Sequence, residues 1–162
     1  MEAPELSPAV GALLDDGDIE HVQRTFAKVA VVGAEATGRM LFGHIFRISP
    51  EVKKLFSFAR DEETMWLPGS RLEKHGARVV NTMAVAVSLL DDLETLEPEL
   101  EKLGVQHVRY KVLACHYDLV GQAFIATLED LLEAEFTEAL KSAYQKVWSF
   151  LQNTMIADNY TW

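Results

Sequence analysis

At 162 residues, 49% of them apolar, the chain is long enough for one domain with a well-buried core and no covalent staples. A formal charge of −10 argues against nucleic-acid or anionic-membrane partners, whose phosphates it would repel. Cys115 is the only cysteine, which rules out an internal disulfide or a cysteine-rich zinc site.

Residues 1–17 carry two prolines and two glycines and read as a loose N-terminal extension with at most one helical turn, ahead of a single domain over 18–162. Asp18 is the expected cap of a helix with Ile19, Val22, Phe26 and Val29 as its apolar stripe. After Gly33, residues 34–49 present Met40, Leu41, Phe42, Ile45 and Phe46 on one broad face. Gly38, within that stretch, costs about 1 kcal/mol of helix propensity against alanine. Ser49-Pro50-Glu51 starts a short new helix, which ends at Phe56 and Phe58 and leads into a polar, irregular loop over residues 57–70.

Ser70 with Glu73 three residues on makes a capping box. From there Leu72, Gly76, Val79, Met83, Ala86 and Leu90 recur at helical spacing, with His75 on the flank of the stripe. An imidazole beside apolar side chains needs a hydrogen-bond partner, a ligand or a metal. Leu96-Glu97-Pro98-Glu99 reads as the first turn of a shorter helix, which continues through Leu100 and Leu103 to His107. The Leu103 carbonyl, one turn back, is placed to accept the ring proton on Nδ1, which leaves Nε2 of His107 as a neutral ligand.

Two further helices close the chain. One spans residues 112–132, with Val112, His116, Val120, Phe124, Thr127 and Leu131 along its face. The last, capped by Thr137, carries Leu140, Tyr144, Val147, Leu151 and Met155. A connection of about four residues makes them antiparallel neighbours. No stretch alternates like a strand, so the expectation is an all-α fold of seven or eight helices. No apolar run reaches membrane-spanning length, and no signal-peptide pattern opens the chain, so the expected location is cytoplasmic. Phosphate-loop, zinc-protease and serine-hydrolase motifs are absent. Cys115 beside His116 does not make a nucleophile–base pair, because adjacent helix residues point about 100° apart. Cys115 is instead expected as a small core residue.

In order and spacing these residues resemble the globin family, closest to neuroglobin-like animal globins, from about residue 18 to 156. Phe42 stands fourteen residues before Phe56, Pro50 opens the short helix between them, and KKLFSF is similar to the family's haem-packing phenylalanine segment. EKHGARVV resembles the distal helix, and LEKLGVQHVRYKV the proximal segment. The resemblance implies a three-over-three helical sandwich of about eight helices around haem b. It makes His107 the proximal iron ligand and His75 the distal histidine and possible sixth ligand. Phe42, Phe56, Val79, Leu103 and Val112 would line the pocket, with Arg78 facing a propionate and Phe124 and Trp148 contributing from the last two helices. It also implies that Gly38 and Gly76 permit a close helix crossing. The cysteine pair of some neuroglobins is missing from the loop FARDEETMWLPGS.

The function expected from this resemblance is reversible binding of O2, CO or NO, with His75 on the iron when no external ligand is present. The role is oxygen binding, storage or sensing rather than bulk transport, because an internal ligand lowers apparent affinity. Two alternatives follow: NO dioxygenation or nitrite reduction with an external reductase, and a ligand-gated signalling module docking through its acidic run over residues 91–101. The expected assembly is a monomer or weak homodimer, with the helix faces around Phe150 and Trp162 as the candidate interface.

Overall fold

The stripe Val22, Phe26 and Val29 is buried along one face of the first helix, α1 (Asp16–Val32), with Thr25 beside it. This helix begins two residues before the expected cap: Asp15 Oδ1 accepts the Asp18 N–H at 2.7 Å, so Asp15 caps and Asp18 lies in the first turn. Leu14, assigned above to the loose extension, is buried in the core. The computed structural model describes residues 14–159. The turn expected before Leu14, and Trp162, lie outside that range.

Among the described residues the chain is all-α. After α1 come α2 (Ala34–Ile48), 3-10 turns at Pro50–Leu55 and Ser57–Ala59, α3 (Arg71–Ser88), α4 (Leu93–Arg109), α5 (Ala114–Leu132) and α6 (Glu138–Ile156). Further 3-10 turns lie at Glu133–Glu135 and Ala157–Asn159. The segment opened by Pro50 is thus a 3-10 rather than an α-helix, and Ser49 makes no side-chain capping bond to it.

Three sequence expectations need correction. The helix carrying His107 is not short. Asp92 caps it through the Thr95 N–H, and Pro98 sits inside it rather than in its first turn. A carboxylate on a free N–H outcompeted the proline signal. The buried face of α5 is turned from the expected one, to Tyr117, Gly121, Phe124, Thr127 and Leu128. His116 and Val120 are only half-buried, because His116 Nδ1 accepts the Leu113 N–H at 2.9 Å and caps the helix start. Cys115 is exposed, not a core residue; the Phe150 side chain itself is buried in the core.

The packing is pairwise and crossed. α2 packs on α3 and α5, α1 packs on α3, α5 and α6, and α4 lies against α6. The α2–α3 crossing is backbone to backbone: a Cβ on Gly38 would stand 2.5 Å from the Gly76 carbonyl carbon. Gly38 is therefore required by proximity, not merely tolerated, while a Cβ on Gly76 would meet Gly38 at 3.1 Å, a smaller misfit. α5 and α6 are antiparallel. Tyr117 pairs with Trp148 and Asp118 with Gln152, while Phe124 further along α5 meets Tyr144 earlier in α6. At the centre Thr25 Oγ1 and Tyr144 Oη lie 2.8 Å apart, tying α1 to α6 through buried hydroxyls.

Candidate functional site

α4 rests on α6 and the terminal 3-10 turn, and among the described residues no comparable packing joins it to α3. The two histidines stand on these separated helices. His75 is on α3, one residue before the Gly38–Gly76 contact that fixes the helix against α2. Ser70 Oγ accepts the Glu73 N–H at 3.1 Å. The Glu73 carboxylate completes the box one residue early, on the Gly69 N–H at 3.0 Å, and also takes Arg39 of α2 at 2.8 Å. The start of α3, and with it His75, is thus braced by two neighbouring segments.

Three phenylalanine rings surround His75: Phe42 at 5.4 Å between centroids, and Phe56 and Phe58 each at 5.5 Å. Phe42 meets Phe46 and Phe56 edge-on, and Phe46 meets Phe56 and Trp66, so the wall continues into the core. His75 itself is half-buried. Its pKa is pushed below the ordinary histidine range by loss of solvent first, then by the charges of Arg78 and His107. The ring is therefore neutral near pH 7, with one nitrogen lone pair available.

His107 is held differently. Its Nδ1 lies 2.8 Å from the Leu103 carbonyl oxygen. A carbonyl only accepts, so Nδ1 carries the proton and Nε2 the lone pair. Burial lowers the His107 pKa, and the Leu103 bond offsets this in part. The ring stacks on Tyr117 of α5 at 5.9 Å with a 28° interplanar angle, and its carbonyl accepts the Val112 N–H at 3.0 Å. Val79, Leu103 and Val112 are half-buried, and Arg78 is exposed at the edge of α3. Phe124 and Trp148 are ring neighbours at 5.8 Å in the α5–α6 layer.

Phe58 and Tyr117 were missed from sequence. Phe58 sits in an irregular segment where no periodicity assigns a direction. Tyr117 carries a readable signal, since it precedes Gly121 by four residues and Phe124 by seven on one helix face.

Two neutral imidazoles with free lone pairs, one beside three phenylalanine rings on α3 and the other stacked on Tyr117 from α4, suit a flat apolar cofactor whose metal takes nitrogen ligands. Haem b fits this donor set and lining. Among the described residues no cluster of three or more His, Cys, Asp or Glu side chains offers a metal site made by the protein alone. No described helix is long and apolar enough to cross a membrane.

Residues 39–155 match the family model described as Globin. An anaerobic nitrite reductase of Gossypium hirsutum is 31% identical over 117 residues, covering 70% of this chain and 72% of that protein. The neuroglobin of Danio rerio is 30% identical over 120 residues, covering 73% and 76%. An anaerobic nitrite reductase of Arabidopsis thaliana is 27% identical over 113 residues, covering 68% and 72%.

Proposed function

The chain belongs to the globin family, and from that premise we propose that it holds haem b between α3 and α4, with His107 as proximal ligand. O2, CO and NO are the gases taken up on the His75 side. The observation that carries this reading is the 2.8 Å bond from His107 Nδ1 to the Leu103 carbonyl, because it presents Nε2 as a fixed, unprotonated donor toward the gap. When bound, the haem iron supplies a centre with reversible affinity for diatomic gases.

The protein's own residues do the rest. Tyr117, stacked on His107, limits rotation of the ring about its hydrogen bond. Phe42, Phe56 and Phe58 keep water from the His75 side, while Val79, Leu103 and Val112 line the cleft and Arg78 stands at its edge to meet a propionate. His75 makes no hydrogen bond among the described residues, and its neutral ring is free to serve as sixth ligand or as N–H donor to a bound gas. We favour the sixth-ligand state when no gas is present, which suits oxygen storage or sensing in the cytoplasm better than bulk transport. The second reading, a haem-dependent nitrite reductase or NO dioxygenase fed by an external reductase, is favoured by the names of the plant relatives.

The test is His107→Gly, expressed with haem supplied. The proposal expects a Soret band in the wild type, its loss or strong weakening in the variant, and its return on adding imidazole. An unchanged Soret band and unchanged haem retention in the variant would remove His107 from the role.

A further inference from the structure

We propose that Arg71 and Lys74, on the α3 face they share with Arg78, form a cationic approach that draws small oxyanions, nitrite among them, toward His75. The inference rests on the haem reading above and deepens its nitrite alternative by naming the residues that would bring the anion in.

The three side chains sit at i, i+3 and i+7 of one helix, which puts them on one face, and all three are exposed. Among the described residues Lys28, Arg39, Lys53, Lys54, Lys102 and Lys146 each pair with a carboxylate, six of the fifteen lysines and arginines, so what sets the α3 group apart is three cations on one helix face beside His75. Arg71, Lys74 and Arg78 have no carboxylate partner among the described residues, and Arg78 is the one that would meet a propionate, which leaves Arg71 and Lys74 as the free charges. The only acid on α3 is Glu73, and its carboxylate is committed to Arg39 and the Gly69 N–H. In the loop before α3, Glu62 pairs with Lys53 and Asp61 accepts the Glu63 N–H, which leaves Glu63 as the exposed carboxylate nearest in sequence.

This unneutralised stripe adjoins the site. The Arg71 guanidinium lies 5.5 Å from the Phe58 ring, which in turn lies 5.5 Å from His75. Arg78 is close enough for its charge to act on the His75 ring. A chain of net charge −10 repels anions at long range, so an anion reaches a buried centre efficiently only where positive charge gathers at the entrance. Neutral O2, CO and NO gain nothing from such an arrangement. The stripe therefore discriminates between ligand classes by rate of entry. Polyanions are poor candidates, because the acidic remainder of the surface would meet them too.

The test compares wild type with Arg71→Gln/Lys74→Gln and Arg71→Glu/Lys74→Glu, leaving Arg78 in place to meet a propionate. Azide and nitrite association with the ferric holoprotein is followed by stopped flow at about 10 mM and about 0.5 M salt, with CO association to the ferrous protein as the neutral control. The charge-reversed variant is expected to bind both anions about three- to tenfold more slowly at low salt, with the gap closing at high salt. CO association should change less than about twofold. In the CO-bound wild type, nitrite should also move the Arg71 Nε–H resonance beyond the shift caused by equimolar chloride. Anion and CO rates falling together, or anion rates that ignore both charge reversal and salt, would overturn the proposal. A wild type that takes up no haem and shows no Soret band would instead remove the haem reading beneath it.

Discussion

Exchanging either glycine of the α2–α3 crossing for alanine should give unequal results. In Gly38→Ala the new methyl group would stand 2.5 Å from the Gly76 carbonyl carbon and 2.8 Å from its Cα and oxygen. Carbon contacts settle at about 3.5–4.0 Å, so the helices must separate by about 1 Å, and the obstructing atoms are backbone that no rotamer change can move. In Gly76→Ala the methyl group stands 3.1 Å from Gly38 Cα, carbon and oxygen, a misfit of only about half as much. Overpacking costs about 1–3 kcal/mol, while alanine returns about 1 kcal/mol of helix propensity. Gly38→Ala should therefore lose about 2 kcal/mol and Gly76→Ala should be close to neutral. Urea unfolding followed by far-ultraviolet circular dichroism measures both. Because His75 adjoins Gly76, Gly38→Ala should also disturb the visible spectrum of the holoprotein. Equal stabilities for the two variants, or a gain in Gly38→Ala, would refute the reasoning.

Two other perturbations probe the frame behind the cleft. Gly121→Ala drives a methyl group into the Trp148 indole, 2.5 Å from Cδ1, and disrupts the Nε1–H bond to the Tyr117 carbonyl; a loss of about 2 kcal/mol is expected, with a shift in tryptophan emission. The Tyr144 hydroxyl is pushed up to about 12 by burial, against 10.0 for the free side chain. The unfolded chain therefore releases this proton first, so the contribution to stability is intact below pH 10 and is lost as pH rises from 10 toward 12. The difference in unfolding free energy between wild type and Tyr144→Phe should narrow by about 2 kcal/mol across that window; a constant difference would contradict it.

Much of the fold was legible because its signals are local. The Ser70 cap on Glu73, the Thr137 cap and the stripe from Leu140 to Met155 require only neighbouring residues, and each forms as read, although the Glu73 carboxylate closes its half of the box on Gly69. The Leu103–His107 bond was legible for the same reason, as a one-turn offset. Misreadings arose where two local signals competed. Pro98 suggests the start of α4, whereas the Asp92 carboxylate caps the helix six residues earlier. At α5, Val112 and His116 suggested an apolar face, but His116 turns back to cap the helix and the face rotates to Tyr117 and Gly121. Phe58 beside His75 depends on the path of an irregular loop, which no periodicity encodes. The reason for Gly38 lies in the backbone of Gly76, thirty-eight residues away in sequence, and reached the sequence reading only through family resemblance.

The central claim is that His75 and His107 address one haem iron from opposite sides. The most direct measurement is the visible spectrum of the dithionite-reduced protein under argon, wild type beside His75→Leu. The account predicts sharp, split bands in the wild type that collapse to one broad band in the variant. One broad band in both would contradict it, leaving His75 as a hydrogen-bond donor beside an open site.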